Sequence, residues 1–495
     1  MIRFLNILFI AASLVVSSKA HAFSLAGPMP PWMVEAAPSS AACYTSSTGT
    51  GPMNIDEEYR FNVPIVTYGV TSDFASFFGA RGIEEIQKAI AVLDSLPNVD
   101  QLNVDDYPTQ SYRVNHRARA LGLVDLKSVA LQRTLGSLGL DDPTLYTYAP
   151  RNAWIQNGVV LQYYLTVRNF DPVTFLQSPY VNGTLYTYNR QGCPVVFPVD
   201  PSERLFATTT PTAAFGAAGV EFQTGVYVTG LTRDDVGGLK YLYHTKNYNM
   251  ETAVPGVVGP GGAIGTGAVG GGGIYDYSGF PGASGGGVYD SAVIATNAVA
   301  TVTTGNAAAG GGVGGVGAGA GTFVNPAVRG GIGELDFVEA HYDSLLGEFF
   351  TPMSVDFSDS YVTNGVRRSQ RLVRNLTQPD FVFDARDLQG AFSQDPVIYI
   401  TTDQNNVNWI NSDTFDGTQG DDDGPGIIGG SVLIFNTITP FFSGTVDGTG
   451  AFLEDGHFGA VSGHMWGAFD GTTNDPVVFP QGANLEELET LIFSR

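Results

Sequence analysis

Basic residues are scarce in this sequence of 495 residues, which has 24 Lys and Arg against 48 Asp and Glu. The formal net charge of −24 at pH 7 disfavours binding to nucleic acid and to anionic lipid, because both would be repelled. With 43% hydrophobic residues the chain can still bury apolar cores, and its length predicts two or three domains. We therefore expect a chain that is globular for the most part.

The sequence also lacks an apolar run long enough to cross a bilayer, which takes roughly 20 residues. Its most apolar run, Phe4 to Val16, follows Arg3 and precedes the triplet Ala20-His21-Ala22. A basic start, a short apolar stretch and an A-x-A triplet are typical of a secretory signal peptide. We predict a signal peptide over residues 1–22, cleaved after Ala22, and a secreted, cell-surface or periplasmic protein without a transmembrane segment. An uncleaved anchor is the alternative.

Cysteine is almost absent, since the chain contains only Cys43 and Cys193. In an exported protein an isolated pair most simply forms one disulfide. Such a bond would close a loop of some 150 residues and stabilise the fold by restricting the unfolded chain. The alternative is two free thiols, and metal binding by this pair alone is not expected.

Composition divides the chain into four segments after the signal. Residues 23–54 are rich in small residues and proline, which predicts an extended N-terminal arm, and residues 55–250 mix helix and strand patterns. Residues 251–333 are Gly-rich, which predicts a flexible linker or loop, with an assembly or adhesion segment as the alternative. Residues 334–495 carry short β-like runs between turns, typical of a β-rich domain. The predicted class is α+β, and whether the two halves share one core stays open.

Periodicity predicts individual elements within these segments. Apolar residues at helical spacing predict helices over 82–96, 126–140 and 232–243, the last with Thr232 as its N-cap. The remaining predicted elements rest on runs of β-forming residues or short apolar patterns. They are strands at 61–70, 381–383, 397–401, 431–438 and 477–479, a sheet over 158–188, and a short helix at 334–347.

Residues 126–142 read LKSVALQRTLGSLGLDD and resemble a known metal-binding helix. The zinc helix of the matrixin branch of the metzincin metalloproteases reads V-A-x-H-E-x-G-H-x-L-G-L-x-H, and Val129-Ala130 and Leu138-Gly139-Leu140 match its two ends. Residues 231–243 resemble the segment L-T-x-D-D-I-x-G-I-x-x-L-Y that closes matrixin catalytic domains. The resemblance covers about residues 55 to 245 and implies a matrixin-like domain there, an unrelated α/β domain being the alternative.

The residues that would carry the zinc chemistry are replaced in this chain. In the family three histidines bind zinc and a glutamate beside the first activates the water. Here the ligand positions are Gln132, Gly136 and Asp142, and the base position is Arg133. Glycine supplies no ligand, and a guanidinium is not a base at ordinary pH and would repel the metal. No methionine is placed like the family's Met-turn. The resemblance therefore implies a scaffold without the zinc-hydrolase mechanism.

Two further groups of residues offer weaker metal candidates. The first is an acidic Gly-rich stretch, whose carboxylates are ligands that calcium prefers, although their order does not fit an EF-hand and a solvated loop is the simpler interpretation. Its calcium candidates are Asp416, Asp421, Asp422 and Asp423. The second group is His457 and His464, whose spacing matches no usual zinc pattern. Calcium is the one cofactor that the sequence suggests.

Three functions are compatible with these observations. The first is a secreted non-catalytic binding or structural protein on a pseudo-metalloprotease scaffold, with protein, peptide or cell-surface partners. The second is a secreted hydrolase with atypical ligands such as His457 and His464. The third is a cell-envelope or extracellular-matrix assembly protein that uses the Gly-rich segment and the β-rich half. The replaced zinc positions favour the first, so we expect no catalytic residues.

Overall fold

The structure is a computed structural model that describes residues 22–28, 51–156, 159–190, 196–199, 224–254, 256–258, 323–343, 349–386, 403–411, 424–437 and 466–493. The described helices are α1 Ser72–Asp94, α2 His116–Ala120, α3 Leu126–Ser137, α4 Pro143–Tyr146, α5 Arg233–Tyr243 and α6 Leu485–Phe493. Strands outnumber helices, so the protein is a mixed α+β fold, as predicted. None of the helices in these ranges is both long and apolar enough to cross a membrane.

The described strands are mostly short, and the longest ones, of 11 residues each, lie in the second half of the chain. They are β1 Ser24–Gly27, β2 Gly51–Met53, β3 Tyr59–Arg60, β4 Ile65–Val70, β5 Tyr112–Val114, β6 Val124–Asp125, β7 Leu140–Asp141, β8 Ala149–Gln156, β9 Val159–Thr166, β10 Tyr180–Val181, β11 Thr184–Leu185, β12 Thr187–Arg190, β13 Val196–Val199, β14 Val226–Val228, β15 Asn249–Glu251, β16 Val257–Val258, β17 Ala327–Arg329, β18 Asp336–Glu339, β19 Tyr342–Asp343, β20 Phe349–Phe350, β21 Met353–Thr363, β22 Val366–Leu376, β23 Phe381–Arg386, β24 Asp403–Asn411, β25 Gly426–Asn436, β26 Trp466–Ala468 and β27 Val477–Phe479.

A six-stranded sheet joins the two halves of the chain. Its order is β18-β4-β23-β25-β24, with β3 also pairing with β25. Strands β18, β4, β23 and β25 are parallel, and β24 is antiparallel to β25. Because β4 precedes the Gly-rich segment and its neighbours β18 and β23 follow it, both halves contribute to one sheet. A single hydrophobic cluster likewise extends from Phe23 to Phe479, which answers the question that the sequence leaves open.

Helix α1 packs on this sheet through aromatic side chains. The hydroxyl of Thr71 caps the helix by accepting the N–H of Phe74, and it donates to Asp384 on β23 at 2.6 Å. Phe78 lies edge-on to Phe435 of β25 and Trp466 of β26. Such edge-to-face contacts add to the stabilisation that comes from burying the rings. Helix α1 therefore ties the central sheet to the short strands near the C-terminus.

A second sheet, β15-β17-β21-β22-β16, is attached by buried ion pairs. Arg60 on β3 bonds to Glu251 on β15 at 2.7 Å, and both side chains are fully buried. The pairs Arg329–Asp359 and Arg374–Asp380 are buried in the same way. Removing one partner of such a pair leaves an uncompensated charge, which typically costs about 3–5 kcal/mol. The pairs Arg60–Glu251 and Arg374–Asp380 join the second sheet to the first, whereas Arg329–Asp359 joins β17 to β21 within the second sheet.

Most of the sequence-predicted elements that fall on described residues are present. The helices predicted at 82–96, 126–140 and 232–243 are α1, α3 and α5, although α1 begins earlier and α3 ends earlier than predicted. Thr232 caps α5 through a reciprocal bond with Asp235. The strands predicted at 61–70, 381–383, 431–438 and 477–479 correspond to β4, β23, β25 and β27, and the one at 397–401 lies outside the described residues.

The helix predicted at 334–347 is wrong, because residues 336–339 form strand β18. Its register places Phe337 opposite Val66 in the parallel pair with β4. The backbone N–H of Phe337 also donates to the Asp94 carboxylate at the end of α1. The backbone N–H and C=O groups of this segment are paired with β4, a strand far away in sequence. The local spacing of apolar residues carries no information about such a partner, so it could not predict the strand.

The segment predicted as an extended arm contributes two short strands in its described part. Strand β1 pairs with β2 on one side and with β7 on the other, and its residues are buried. Phe23, just before β1, stacks on Tyr241 of α5 with ring centroids 5.6 Å apart. Residues 22–28 are thus part of the main core rather than a free extension.

Candidate functional site

Helix α3, which carries Gln132, Arg133 and Gly136, is delimited by two local signals. Asp125 is its N-cap and accepts the backbone N–H of Ser128 at 2.9 Å. Beyond its last residue, Ser137, Gly139 adopts φ +101°, a conformation that favours glycine. A Cβ on Gly139 would lie 2.4 Å from the carbonyl oxygen of Tyr59. The chain can therefore leave the helix toward β7 only with glycine at this position.

The residues at the first ligand position and the base position lie inside the core. The side chain of Gln132 is 4% exposed and that of Arg133 is 1% exposed. Burial lowers the pKa of Arg133 to about 9, and the neighbouring Asp141 carboxylate acts in the opposite direction. The guanidinium is therefore still charged at neutral pH. It occupies the interior as a cation beside Asp141 and is sealed from substrate.

The two other ligand positions have structural surroundings as well. Gly136 is buried in the last turn of α3. Asp142 caps α4, where its carboxylate accepts the N–H of Thr144 at 2.8 Å and the hydroxyl of the same residue at 2.7 Å. In β7, Asp141 lies opposite Ser24 of the N-terminal strand. The exit of α3 is thus covered by strand β1.

The other sites predicted from the sequence are the metal candidates and the cysteine pair, and their residues lie outside the described ranges. Within the described ranges, no group of three or more His, Cys, Asp or Glu side chains is placed to hold a metal ion. The remaining predicted site residues lie outside the described residues. They are the calcium candidates Asp416, Asp421, Asp422 and Asp423, the histidines His457 and His464, and the cysteines Cys43 and Cys193.

A polar cleft of about 500 Å³ opens at the start of α3. Helix α1, the first turn of α3, strand β14 and the β26–β27 connection form its walls. The charged residues of the wall are of both signs and include Arg81, Glu85, Lys88, Asp125, Lys127 and Asp470. A cleft with several converging polar groups is the default location for a binding site in a protein without an assigned function.

The electrostatics of this cleft centre on Asp125. Burial raises the pKa of Asp125 to about 7, with a further increase from Glu85, while hydrogen bonds from Ser128 and from the N–H of Phe469 oppose it. Hydrogen bonds from Thr472 lower the pKa of Asp470, helped by Lys88 and Lys127. Because Asp125 is bound to Ser128 as a helix cap, it is a structural carboxyl group rather than a free base. The exposed cations and Asp470 remain available to a ligand.

Sequence reasoning missed this cleft. Glu85 and Lys88 lie three residues apart in the helix predicted over 82–96, and Arg81 directly precedes that helix; this spacing is the local signal of a charged wall. The opposite wall comes from the β26–β27 connection, where Tyr227 packs edge-on against Phe469. Its position depends on the parallel pairing of β26 with β6, which no local pattern reveals.

Comparison with known proteins adds no relative. No protein-family model, no curated protein and no solved structure matches this chain.

Proposed function

We propose that this chain is a secreted, non-catalytic binding protein built on a matrixin-like scaffold that has lost its zinc site. The observation that carries the proposal is the surroundings of Arg133. A buried guanidinium beside Asp141 stands where a water-activating glutamate would be needed. A helix with an amide, a cation and a glycine in these positions has neither ligands for zinc nor a base.

The geometry at both ends of the resemblance supports the scaffold part of the proposal. Helix α3 ends at Ser137, two residues before Gly139, the glycine that the zinc-helix motif places before its third ligand. Helix α5 begins with the capping box of Thr232 and Asp235 within the second matching segment. The resemblance implies both features. The glycine turn and the capping box stabilise the ends of helices, and neither requires a bound metal.

The cleft at the start of α3 is the proposed binding surface. Its wall offers Lys88 and Lys127 as donors and Asp470 as an acceptor, at the surface of a protein that is otherwise strongly acidic. Such a surface fits a peptide segment that carries both charges, because each charge would meet its opposite. Rim charges of this kind contribute mainly to specificity and association rate.

The loss of catalysis is tested with the purified exported protein. Elemental analysis should find no stoichiometric zinc, and incubation with a peptide library should leave all peptides intact, with and without a chelator. Cleavage that disappears when the chelator is added would contradict the proposal.

Binding is tested with a displayed peptide library. Peptides retained by the native protein should be lost by the charge-reversed variant Lys88→Glu/Lys127→Glu. The control Arg371→Glu changes an exposed cation on β22, outside the cleft, and should retain them. Equal retention by both variants would exclude the cleft as the binding surface.

A further inference from the structure

A second cavity, of about 290 Å³, adjoins the polar cleft. Arg81 and Val477 line both spaces, so the two form one groove along α1 and β27. Apart from Arg81 and Gln481, the residues around the smaller space are apolar or glycine. We call it the apolar hollow; its lining residues lie within 78–81, 476–479 and 481–485. The groove therefore changes along its length from charged at the cleft to apolar at the hollow.

The wall of the hollow is shaped by an interruption of α1 at Gly79. Its φ of +61° and ψ of −166° are open to essentially no residue but glycine. In an unbroken helix the carbonyl of Phe77 would accept the N–H of Arg81; here that carbonyl accepts the N–H of Gln481 at 2.7 Å. A Cβ on Gly79 would lie 2.4 Å from Oε1 of Gln481. The interrupted helix and the chain after β27 are thus fitted to each other, and the hollow is a built feature of the fold.

Apolar side chains of the hollow remain accessible to solvent. Val477 is 37% exposed, and Ala483 and Leu485 are half-buried. The volume of about 290 Å³ is ample for one large side chain, because a cavity of about 150 Å³ already holds benzene. Burying a Leu or Phe side chain from a ligand there would strengthen binding by at least about tenfold.

The charged part of the groove offers cations to a carboxylate. Lys127 is half-buried in the cleft wall and takes part in no ion pair with any residue that the structure describes. Lys88 is 49% exposed and pairs with acidic residues of its own helix. On the facing connection, Asp470 accepts the N–H and the hydroxyl of Thr472 within its own turn. A ligand carboxylate would therefore meet, in Lys127, a cation that lacks a carboxylate partner.

We propose that the groove binds an extended segment of a partner protein, with an apolar side chain in the hollow and a carboxylate at Lys88 and Lys127. The two ends of the groove set the spacing. Ala80 at the hollow and Lys88 in the cleft are eight residues apart on α1, which is about 12 Å at 1.5 Å per residue. An extended chain covers that distance with about four residues, and an even spacing places both side chains on one side of it.

This inference rests on the proposed binding by the cleft and not on the proposed loss of catalysis. It adds an apolar anchor and its distance from the acidic residue, which the mixed charges of the cleft do not specify. A few buried anchors carry most of the energy of a typical interface, whereas charges at the rim act mainly on specificity and association rate.

The test selects a displayed library of random peptides on the full exported protein and measures dissociation constants for synthetic copies of the enriched peptides. Enriched sequences should share a large apolar residue about four positions from Asp or Glu. Replacing that apolar residue by alanine should weaken binding by at least about tenfold, because the burial of its side chain is lost. This peptide tests the hollow on the unaltered protein.

Two variants block the groove from the side of the protein. Ala483 lines the hollow but not the cleft, so Ala483→Trp fills the hollow alone, and Val477→Asp places a charge where the two spaces meet. Each should weaken binding by at least about tenfold. Val366→Asp is the matched control, because Val366 is exposed on β22 and lines neither space, and it should bind like the native protein. Urea unfolding midpoints show that each variant compared is folded.

Three results would overturn the inference. One is a set of peptides that need Lys88 and Lys127 but bind Ala483→Trp as tightly as the native protein, which would leave the proposed function standing. Another is a set of peptides without a shared apolar residue. The third is a native protein that retains no peptide but self-associates, with the association lost in Ala483→Trp, which would assign the hollow to a second copy of this chain.

Two further outcomes separate this inference from the proposed function. A native protein that neither retains peptides nor self-associates would refute the proposed binding and, with it, this inference. Chelator-sensitive cleavage of peptides that carry the expected spacing would refute the loss of catalysis and leave this inference standing.

Discussion

Asp125 and Arg133 lie on the same short stretch of chain, yet one lines a cleft and the other is enclosed in the core. At the start of α3, Asp125 forms part of a wall that also holds the exposed Lys88 and the half-buried Lys127. Farther along the helix, Arg133 is buried in the core, where Asp141 is a charged neighbour. The difference teaches that polar residues in a motif-like helix must be judged by their surroundings. Asp125 and Arg133 are both buried, but Asp125 borders a cleft whose wall includes the exposed Lys88, whereas Arg133 lies inside the core.

The largest effect on stability is expected from Arg133→Glu, which reverses the charge of a buried side chain. It would place a carboxylate in the core beside Asp141, so the free energy of unfolding should fall by about 3–5 kcal/mol. Urea denaturation of the purified protein measures this loss. The control Arg371→Glu changes a cation that is 72% exposed and should have little effect. Similar losses for the two variants would show that Arg133 is not enclosed.

A smaller loss of stability is expected just beyond the end of α3, where Gly139→Ala tests the close approach of the Tyr59 carbonyl oxygen to residue 139. Gly482 is the matched control, because it also has positive φ but nothing within 4 Å of a Cβ. Gly482→Ala should cost about 1–2 kcal/mol for the backbone conformation alone. Gly139→Ala should cost about 1–3 kcal/mol more, because the added carbon overlaps a carbonyl oxygen. Thermal or urea unfolding of the two variants measures the difference, and equal costs would argue against the tight turn.

Asp125 should make stability depend on pH in a defined direction. Its folded-state pKa of about 7 exceeds the unfolded value of 3.8, so the folded state holds the proton more tightly. This contribution is complete below about pH 4 and is lost as the pH rises through 7. Asp125→Asn keeps an acceptor for the Ser128 N–H, so it should flatten the decline in stability between these pH values. Unfolding midpoints of both proteins across this range test the prediction, and parallel curves would contradict it.

The smallest effect on stability is expected from Lys88→Gln in the cleft wall. Lys88 is 49% exposed and pairs with Glu84 and Glu85 on its own helix. Surface pairs of this kind contribute about 0.5 kcal/mol or less, so the unfolding free energy should hardly change. If the cleft binds peptides as proposed, the same variant should weaken binding. A large loss of stability would instead show that Lys88 contributes substantially to the stability of the fold.

Local signals were sufficient for the helices on which the proposed kinship depends. Val129, Leu135 and their neighbours predict α3, and Thr232 with Asp235 predicts the start of α5, because caps and apolar spacing act within a few residues. The mismatch of Gln132, Arg133 and Gly136 with the zinc motif can likewise be read from the sequence alone. A glycine or a guanidinium lacks zinc chemistry in any fold, so this part of the argument needed no coordinates.

Long-range contacts decided the rest. The strand at 336–339, the sheet shared by both halves, the cleft beside Asp125 and the burial of Ala22 against Asp234 all join residues far apart in sequence. Hydrogen bonds between strands and the burial of a carboxylate depend on which segments meet, and no periodicity of a single segment encodes its partner. The residue types at Gln132, Arg133 and Gly136 could therefore be read directly, whereas their enclosure depends on tertiary packing.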